Sequence, residues 1–390
     1  MKKMLFVNGS YNEIPLIRAA HELGMYVITS GNDRNGAGHA YADKYVPCDY
    51  SDKDAILQIA SSEQVDAICS CGNDFGAISA SYACEKLGLP GHDSYQNTRY
   101  FHEKDQFKQL CEKLNFSTPR SAAFSNTEDA VKYLGNVDFP LMIKPSDLGG
   151  GKGITVVCSY EDAVTAIEKA YELSKIKKIL VEEYVEGTQH GFTCFIKAGK
   201  VRFAYMTDDY SYLNPYMVWL AIPHDDPALR DRIVEDVEKM AAELQLADGM
   251  LTIQYLKKDG KPYYIETMRR CLGNMHYKCI SWDYEADIYK LFVANEAGLE
   301  TEDYLNQIDG RKSASAFMGI YADRNGKFMG YRIDDAWIPY LRDTLMIEEI
   351  GNDIDNYLTE KLGMLYFCIP EDKSIQFVNE MRQIVYVDVE

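Results

Sequence analysis

The first ninety residues alternate between two patterns, and this alternation restricts the fold more than any other feature of the chain. Met4–Val7 is a short apolar run that ends at Asn8-Gly9-Ser10; Ile14, Leu16, Ile17, Ala20 and Leu23 then mark a helical face that stops at Gly24. Tyr26–Thr29 reads as a second strand, Ala55–Ala60 as a helix, Ala67–Cys71 as a strand and Ala77–Leu87 as a helix closed by Gly88. Strands and helices alternating at this spacing build βαβ units around a parallel sheet. The spacing predicts a small doubly wound α/β domain over about residues 1–98.

Beyond it the pattern changes. Residues 99–117 read as one helix with Phe107, Leu110 and Leu114 at helical spacing. After Pro119 come strands at Phe139–Lys144, Thr155–Cys158 and Ile179–Tyr184, with a helix at Tyr160–Ser174. Two hairpins follow, one around Gly199 and one around Lys258-Asp259-Gly260, separated by an amphipathic helix over 226–245. Residues 300–390 mix short strands and helices without a legible motif. A length of 390 residues, at about 150 per domain, fits two or three domains.

Charge and cysteine usage narrow the function. The formal charge of −19 excludes a general nucleic-acid binder, which needs clustered Lys and Arg, but not a small anion in a local basic pocket. The ten cysteines include no CxxC pair and read as reduced, mostly buried thiols of a cytosolic protein. The apolar run at Met4–Val7 is far shorter than a secretory segment of roughly 7–15 residues, and no run approaches the roughly 18 residues of a membrane span. A cytoplasmic protein with no membrane or nucleic-acid partner is the expectation.

Three segments carry chemistry. In Phe139-Pro-Leu-Met-Ile-Lys-Pro-Ser-Asp-Leu-Gly-Gly-Gly-Lys-Gly-Ile154 a strand delivers Lys144 beside Gly149, Gly150, Gly151 and Gly153. Glycines let backbone amides approach a phosphate, and lysine adds a compact charge. The order is neither a P-loop nor a dinucleotide fingerprint, and a surface loop fits it as well. In Ile179-Leu-Val-Glu-Glu-Tyr-Val-Glu-Gly187 two carboxylates end a strand, suited to an adenine amine and ribose hydroxyls or to plain solvation. Gln254 and Glu266 lie on hairpin strands where they can face each other, as oxygen ligands of Mg²⁺ or as a cross-strand polar pair.

Together and in this order the segments resemble the ATP-grasp superfamily over roughly residues 1–290, with echoes of biotin carboxylase, carboxyaminoimidazole ribonucleotide synthetase, carbamoyl phosphate synthetase and the amino-acid ligases. The resemblance implies an N-terminal α/β domain (1–98), an ATP-grasp α+β domain (99–295, with a mobile glycine-rich lid over about 118–190) and a C-terminal α+β domain (296–390). It implies ATP and Mg²⁺ as cofactors. Lys104, in His-Glu-Lys-Asp, and Lys144 match the two phosphate-binding lysines, and Gly149–Gly153 the lid loop. Glu182, Glu183 and Val185 match the adenine hinge, and His190 a histidine near the nucleotide. Gln254 and Glu266 match the two metal ligands, and Arg270 the arginine that steadies the acyl-phosphate or its transition state.

The chain departs from the family at Gln254, usually an acid, and at Met268, often Asn. The expected function is an ADP-forming carboxylate–amine ligase taking small-molecule substrates, with a homodimer as the expected assembly. Asn274 and His276 are candidates for holding a substrate carboxylate or accepting a proton, and Tyr205–Tyr216, with Asp208 and Asp209, for lining an amine pocket. Residues 205–225 contain no Lys or Arg, which favours an amino-acid-like acceptor over a phosphoribosyl one. The alternatives are a bicarbonate- or purine-intermediate-activating synthetase and a non-catalytic ATP-binding protein.

Overall fold

The computed structural model of the chain describes residues 1–149 and 151–390; Gly150 lies outside the described residues. The N-terminal alternation folds as the pattern predicts, with one strand more. Strands β1 (Lys3–Phe6), β2 (Tyr26–Gly31), β3 (Lys44–Pro47) and β4 (Ala67–Cys69) form a parallel sheet in the order β3-β2-β1-β4. Helix α1 (Ile14–Glu22) connects β1 to β2, α2 (Lys53–Glu63) connects β3 to β4, and α3 (Asp74–Leu87) follows β4. β3 escaped the sequence because it is an edge strand with no buried residue. The Asn73 side chain caps α3 by accepting from Gly76 N, which sets Asp74 in the first turn.

The helix expected over 99–117 is two helices, α4 (Tyr95–His102) and α5 (Lys104–Leu114). Glu103 between them is extended (φ −108°, ψ 115°), held by Arg99 Nε at 2.6 Å. The break makes Lys104 the first residue of α5.

A four-stranded antiparallel sheet follows, built from β5 (Ser121–Phe124), β6 (Leu141–Pro145), β7 (Thr155–Val157) and β8 (Ile179–Glu183) in the order β5-β8-β6-β7. Helices α6 (Thr127–Tyr133) and α7 (Tyr160–Leu173) cover it with a separate apolar core. The largest element is an eight-stranded sheet. It combines β9 (Thr188–Lys197), β10 (Lys200–Tyr210), β11 (Leu220–His224), β12 (Gly249–Lys258) and β13 (Lys261–Met268) with β14 (Ser315–Ile320), β16 (Leu341–Met346) and β18 (Gly363–Cys368). The strand order is β13-β12-β9-β10-β11-β14-β18-β16. The segment that was illegible in the sequence thus adds three strands to the sheet that carries the two hairpins, while β15 (Gly326–Ile333), β17 (Asp353–Ile354) and β19 (Val385–Val389) pair among themselves.

Side chains on the eight-stranded sheet alternate between two faces. Phe192, Cys194, Met206, Leu251, Ile253 and Tyr255 pack with α5 and α8 (Pro227–Leu244) in one core. The opposite parity carries Gly191, Thr193, Thr207, Asp209, Thr252 and Gln254, all of which line a large cavity. Helices α9 (His276–Tyr284) and α10 (Ile288–Glu296) join the N-terminal sheet to this layer: Glu296 accepts from Ser70 N at 2.8 Å inside their shared core. Among the described residues all ten cysteines are free, seven of them buried, and no helix is long and apolar enough to cross a membrane.

Candidate active site

The cavity has a volume of about 950 Å³ and lies between the four-stranded and eight-stranded sheets. Its cationic end is assembled from four segments far apart in sequence. Lys104 Nζ donates to Leu148 O at 3.0 Å and stands 2.9 Å from Glu266 Oε2. Burial depresses the Lys104 ammonium and raises the Glu266 carboxyl, but each reverses the other's shift: Lys104 ends above the usual lysine value and Glu266 below the usual carboxylate value. Both groups are charged. Gln254 and Glu266 are register partners on β12 and β13, with a bulge directly after Gln254. The facing geometry expected of them is present.

Lys144 and Glu182 form a buried pair, 2.7 Å apart on adjacent strands β6 and β8. Lys108 Nζ approaches the other oxygen of Glu182 at 2.8 Å. Burial lowers the Lys144 pKa; it raises that of Glu182, where Lys108 and Lys144 together overcome it. The Glu182 carboxylate is therefore committed to two lysines. Glu183 points the other way, accepting from Arg120 Nε at 2.7 Å. Both carboxylates are thus engaged by cations, and Glu182 and Glu183 also line the cavity. Tyr184 and Val185 also line the cavity.

Arg270 is held by a residue that sequence reasoning missed. Its Nε and Nη2 donate to Asp74 at 2.7 and 3.2 Å, and His102 Nδ1 lies 2.7 Å from the same carboxylate. Burial raises the Asp74 carboxyl, yet Arg270 and His102 hold it well below the usual range. The only sequence trace of this role is the position of Asp74 directly after the cap residue Asn73. Gly149 and Gly151 line the cavity as well. Gly151 has φ +73°, and a Cβ there would meet the backbone oxygen of Tyr216 at 2.9 Å, so glycine is required. Gly150, expected in the same loop, lies outside the described residues.

His190 is among the residues that line the cavity. Alternation puts its ring on the face with Tyr255, where the two rings stack 5.3 Å apart, and not on the face of Gln254. Asp208, opposite His190 in register, shares that face. Tyr205–Tyr210 belongs to β10. Asp209 lines the cavity, and burial pushes its carboxyl up to about 7.

The other end of the cavity has apolar walls. His276 sits between Tyr205 and Phe317, with ring centroids 5.9 and 5.0 Å away. Burial lowers its pKa to about 4, so it is neutral near pH 7 and a weak base. His276 lines the cavity. Asn274 accepts from Lys361 Nζ, a side chain brought in by the segment before β18. Lys361 lines the cavity, and burial alone brings its ammonium down to about 8. It supplies the cation that residues 205–225 lack, from a part of the sequence with no legible motif.

The ATP-grasp (A) domain of phosphoribosylglycinamide synthetase matches residues 102–214, the segment that supplies Lys104, Lys144, the glycines and the hinge. Over that segment the chain is similar to the ATP-grasp superfamily. The carbamoyl phosphate synthase large chain of Clostridium perfringens is 22% identical over 278 residues, covering 70% of this chain and 26% of that protein. The chain thus spans about a quarter of that relative's length. The L-amino acid ligase of Bacillus licheniformis superposes with a TM-score of 0.83 at 16% identity, covering 100% of this chain and 99% of the ligase. The biotin carboxylase domain of the Hydrogenobacter thermophilus 2-oxoglutarate carboxylase, solved with MgADP and bicarbonate, superposes with a TM-score of 0.77 at 18% identity over 100% and 91% of the two chains. For a magnesium nucleotide, the donor set of this cavity fits on chemistry: a hard-oxygen pair, Gln254 and Glu266, beside two buried lysines.

Proposed function

We propose that the chain is an ADP-forming carboxylate–amine ligase. The observation that carries this reading is the gathering of Lys104, Lys144, Arg270, Gln254 and Glu266 on the walls of one cavity beside Gly149 and Gly151. In this reading residues 1–98 are the N-terminal domain, 99–295 the ATP-grasp domain and 296–390 the C-terminal domain.

Bound ATP would supply the phosphoryl group that converts a substrate carboxylate to an acyl-phosphate, and Mg²⁺, held by Glu266 and Gln254, would neutralise phosphate charge. Lys104 and Lys144 bind phosphate oxygens and fix their line of approach. The Gly149–Gly153 loop closes over them and keeps water from the labile intermediate. The backbone of Glu182–Val185 takes the adenine edge. Arg270, oriented by Asp74, donates to the oxyanion formed when the amine attacks.

The acceptor region supports a substrate bearing one anionic group. Lys361 offers a single buried charge amid Phe317, Met217, Ala221 and Leu272, which matches the carboxylate of an amino-acid-like molecule. The same lysine favours a second reading, a phosphate-bearing intermediate of purine type, that residues 205–225 alone did not.

Calorimetric titration of ATP with and without Mg²⁺ tests the nucleotide site. The expected result is Mg²⁺-dependent binding that Lys144→Ala abolishes. Absence of binding in both conditions overturns the reading in favour of a non-catalytic protein. Phosphate release in pools of amino acids or of phosphoribosyl amines then separates the two acceptor classes.

A further inference from the structure

Three adjacent strands present titratable side chains to one point on the sheet face opposite Gln254. His190 on β9 and Asp208 on β10 are register partners; His224 on β11 pairs with Met206, two residues from Asp208 and hence on the same face. His190 Nδ1 lies 2.8 Å from Asp208 Oδ1, and His224 Nδ1 lies 3.1 Å from the same oxygen. One donor atom from each of the three residues falls within 4.8 Å of the others.

These contacts are close without being hydrogen bonds. Neither His190 Nδ1 nor either ring nitrogen of His224 has a hydrogen-bond partner among the described residues, although all three atoms are buried. Buried imidazole nitrogens without partners are costly. The nitrogens touch the carboxylate, but the bonding directions miss it. Neighbouring ligands of a metal ion behave this way, because each aims at the ion and not at the next ligand. Donors bound at about 2.0–2.1 Å at octahedral or tetrahedral angles stand about 2.8–3.4 Å apart, a range that holds both contacts seen.

The outer contacts agree. Thr188 Oγ1 lies 2.7 Å from His190 Nε2, and Tyr255 stacks on the ring, so the ring is fixed with Nδ1 toward Asp208. Lys257, a cation whose charge reaches Asp208, is engaged by Asp226 at 2.7 Å.

We propose that His190, Asp208 and His224 form a site for one divalent transition-metal ion, with Zn²⁺ the best match to two imidazoles and one carboxylate. The site is distinct from the Gln254–Glu266 pair, which offers only oxygen. Its ion would clamp β9, β10 and β11 together where the chain leaves the Glu182–Val185 segment.

The test uses the untagged full-length chain, freed of metal by a chelator and kept in excess Mg²⁺ to fill oxygen-only sites. Titration with Co²⁺ is expected to give a saturable visible band at one ion per chain, displaced by Zn²⁺, and Zn²⁺ alone is expected to raise the unfolding temperature. Glu266→Gln is expected to retain the band; Asp208→Asn is expected to weaken binding at least tenfold, and His224→Gln to abolish it. Absence of the band from the wild-type chain, or its persistence in His224→Gln, overturns the proposal. Since the wild-type titration does not depend on ATP binding, its failure and failure of the ligase reading are separate results.

Discussion

The two ends of the cavity solve the problem of buried charge in opposite ways. At the Glu266 end every cation has an acid: Lys104 with Glu266, Lys144 and Lys108 with Glu182, Arg270 with Asp74. At the Phe317 end Lys361 has, among the described residues, only the amide of Asn274. The first end is held together by its own charges before any ligand arrives. The second carries a charge that the fold leaves uncompensated, and an anion from outside is the natural partner. Affinity for nucleotide and selectivity for the acceptor are therefore built from different physical terms.

The largest expected effect breaks the paired end. Glu182→Gln leaves two lysines buried without their shared acid and should lower the unfolding free energy by about 3–5 kcal/mol, measured by urea titration. A loss below about 1 kcal/mol would mean that water already screens this pair.

Lys361→Met should act with the opposite sign. The folded ammonium, at about 8 against an ordinary 10.5, binds fewer protons than the unfolded one between those values. Wild-type stability should thus rise with pH across that window. Below it, the substitution removes a burial penalty and should stabilise the ligand-free chain by up to about 3 kcal/mol, a gain that fades as pH passes the unfolded value. The same variant should raise KM for the acceptor. In the wild type that KM should climb above about pH 8 as the ammonium loses its proton, and in the variant it should stay flat.

Asp74→Asn sharpens the comparison at Arg270. The guanidinium keeps its charge but loses a charged two-point anchor, so turnover should fall by the equivalent of about 1.5–3 kcal/mol with little change in ATP affinity. Equal losses in both would assign Asp74 to nucleotide binding. The smallest effect is expected from Gly151→Ala, which forces a side chain into positive φ against Tyr216 and should cost about 1–2 kcal/mol in unfolding free energy.

The same contrast explains what was legible in the sequence. Lys144 beside its glycines, and Gln254 facing Glu266, announce themselves because strand, loop and hairpin are local patterns with short periods. The first sheet was readable for the same reason, apart from β3, whose residues are not buried. Asp74 and Lys361 were hidden because their roles come from contacts across 196 and 87 positions of chain. For His190 a family match gives a position, whereas the two-residue alternation of the strand decides which face the ring takes. The single helix expected over 99–117 failed at Glu103, where nothing in the apolar spacing marks a break.

The continuity of the eight-stranded sheet has one more consequence. Gln254 on β12 and Phe317 on β14 are four strand spacings apart, on the order of 19 Å along a hydrogen-bonded lattice. Backbone ladders stretch very little, so this separation is a fixed gauge. Whatever joins the two ends of the cavity is measured for length before it is read for shape, and a homologous series of acceptors should show an optimum chain length with a sharp fall on either side.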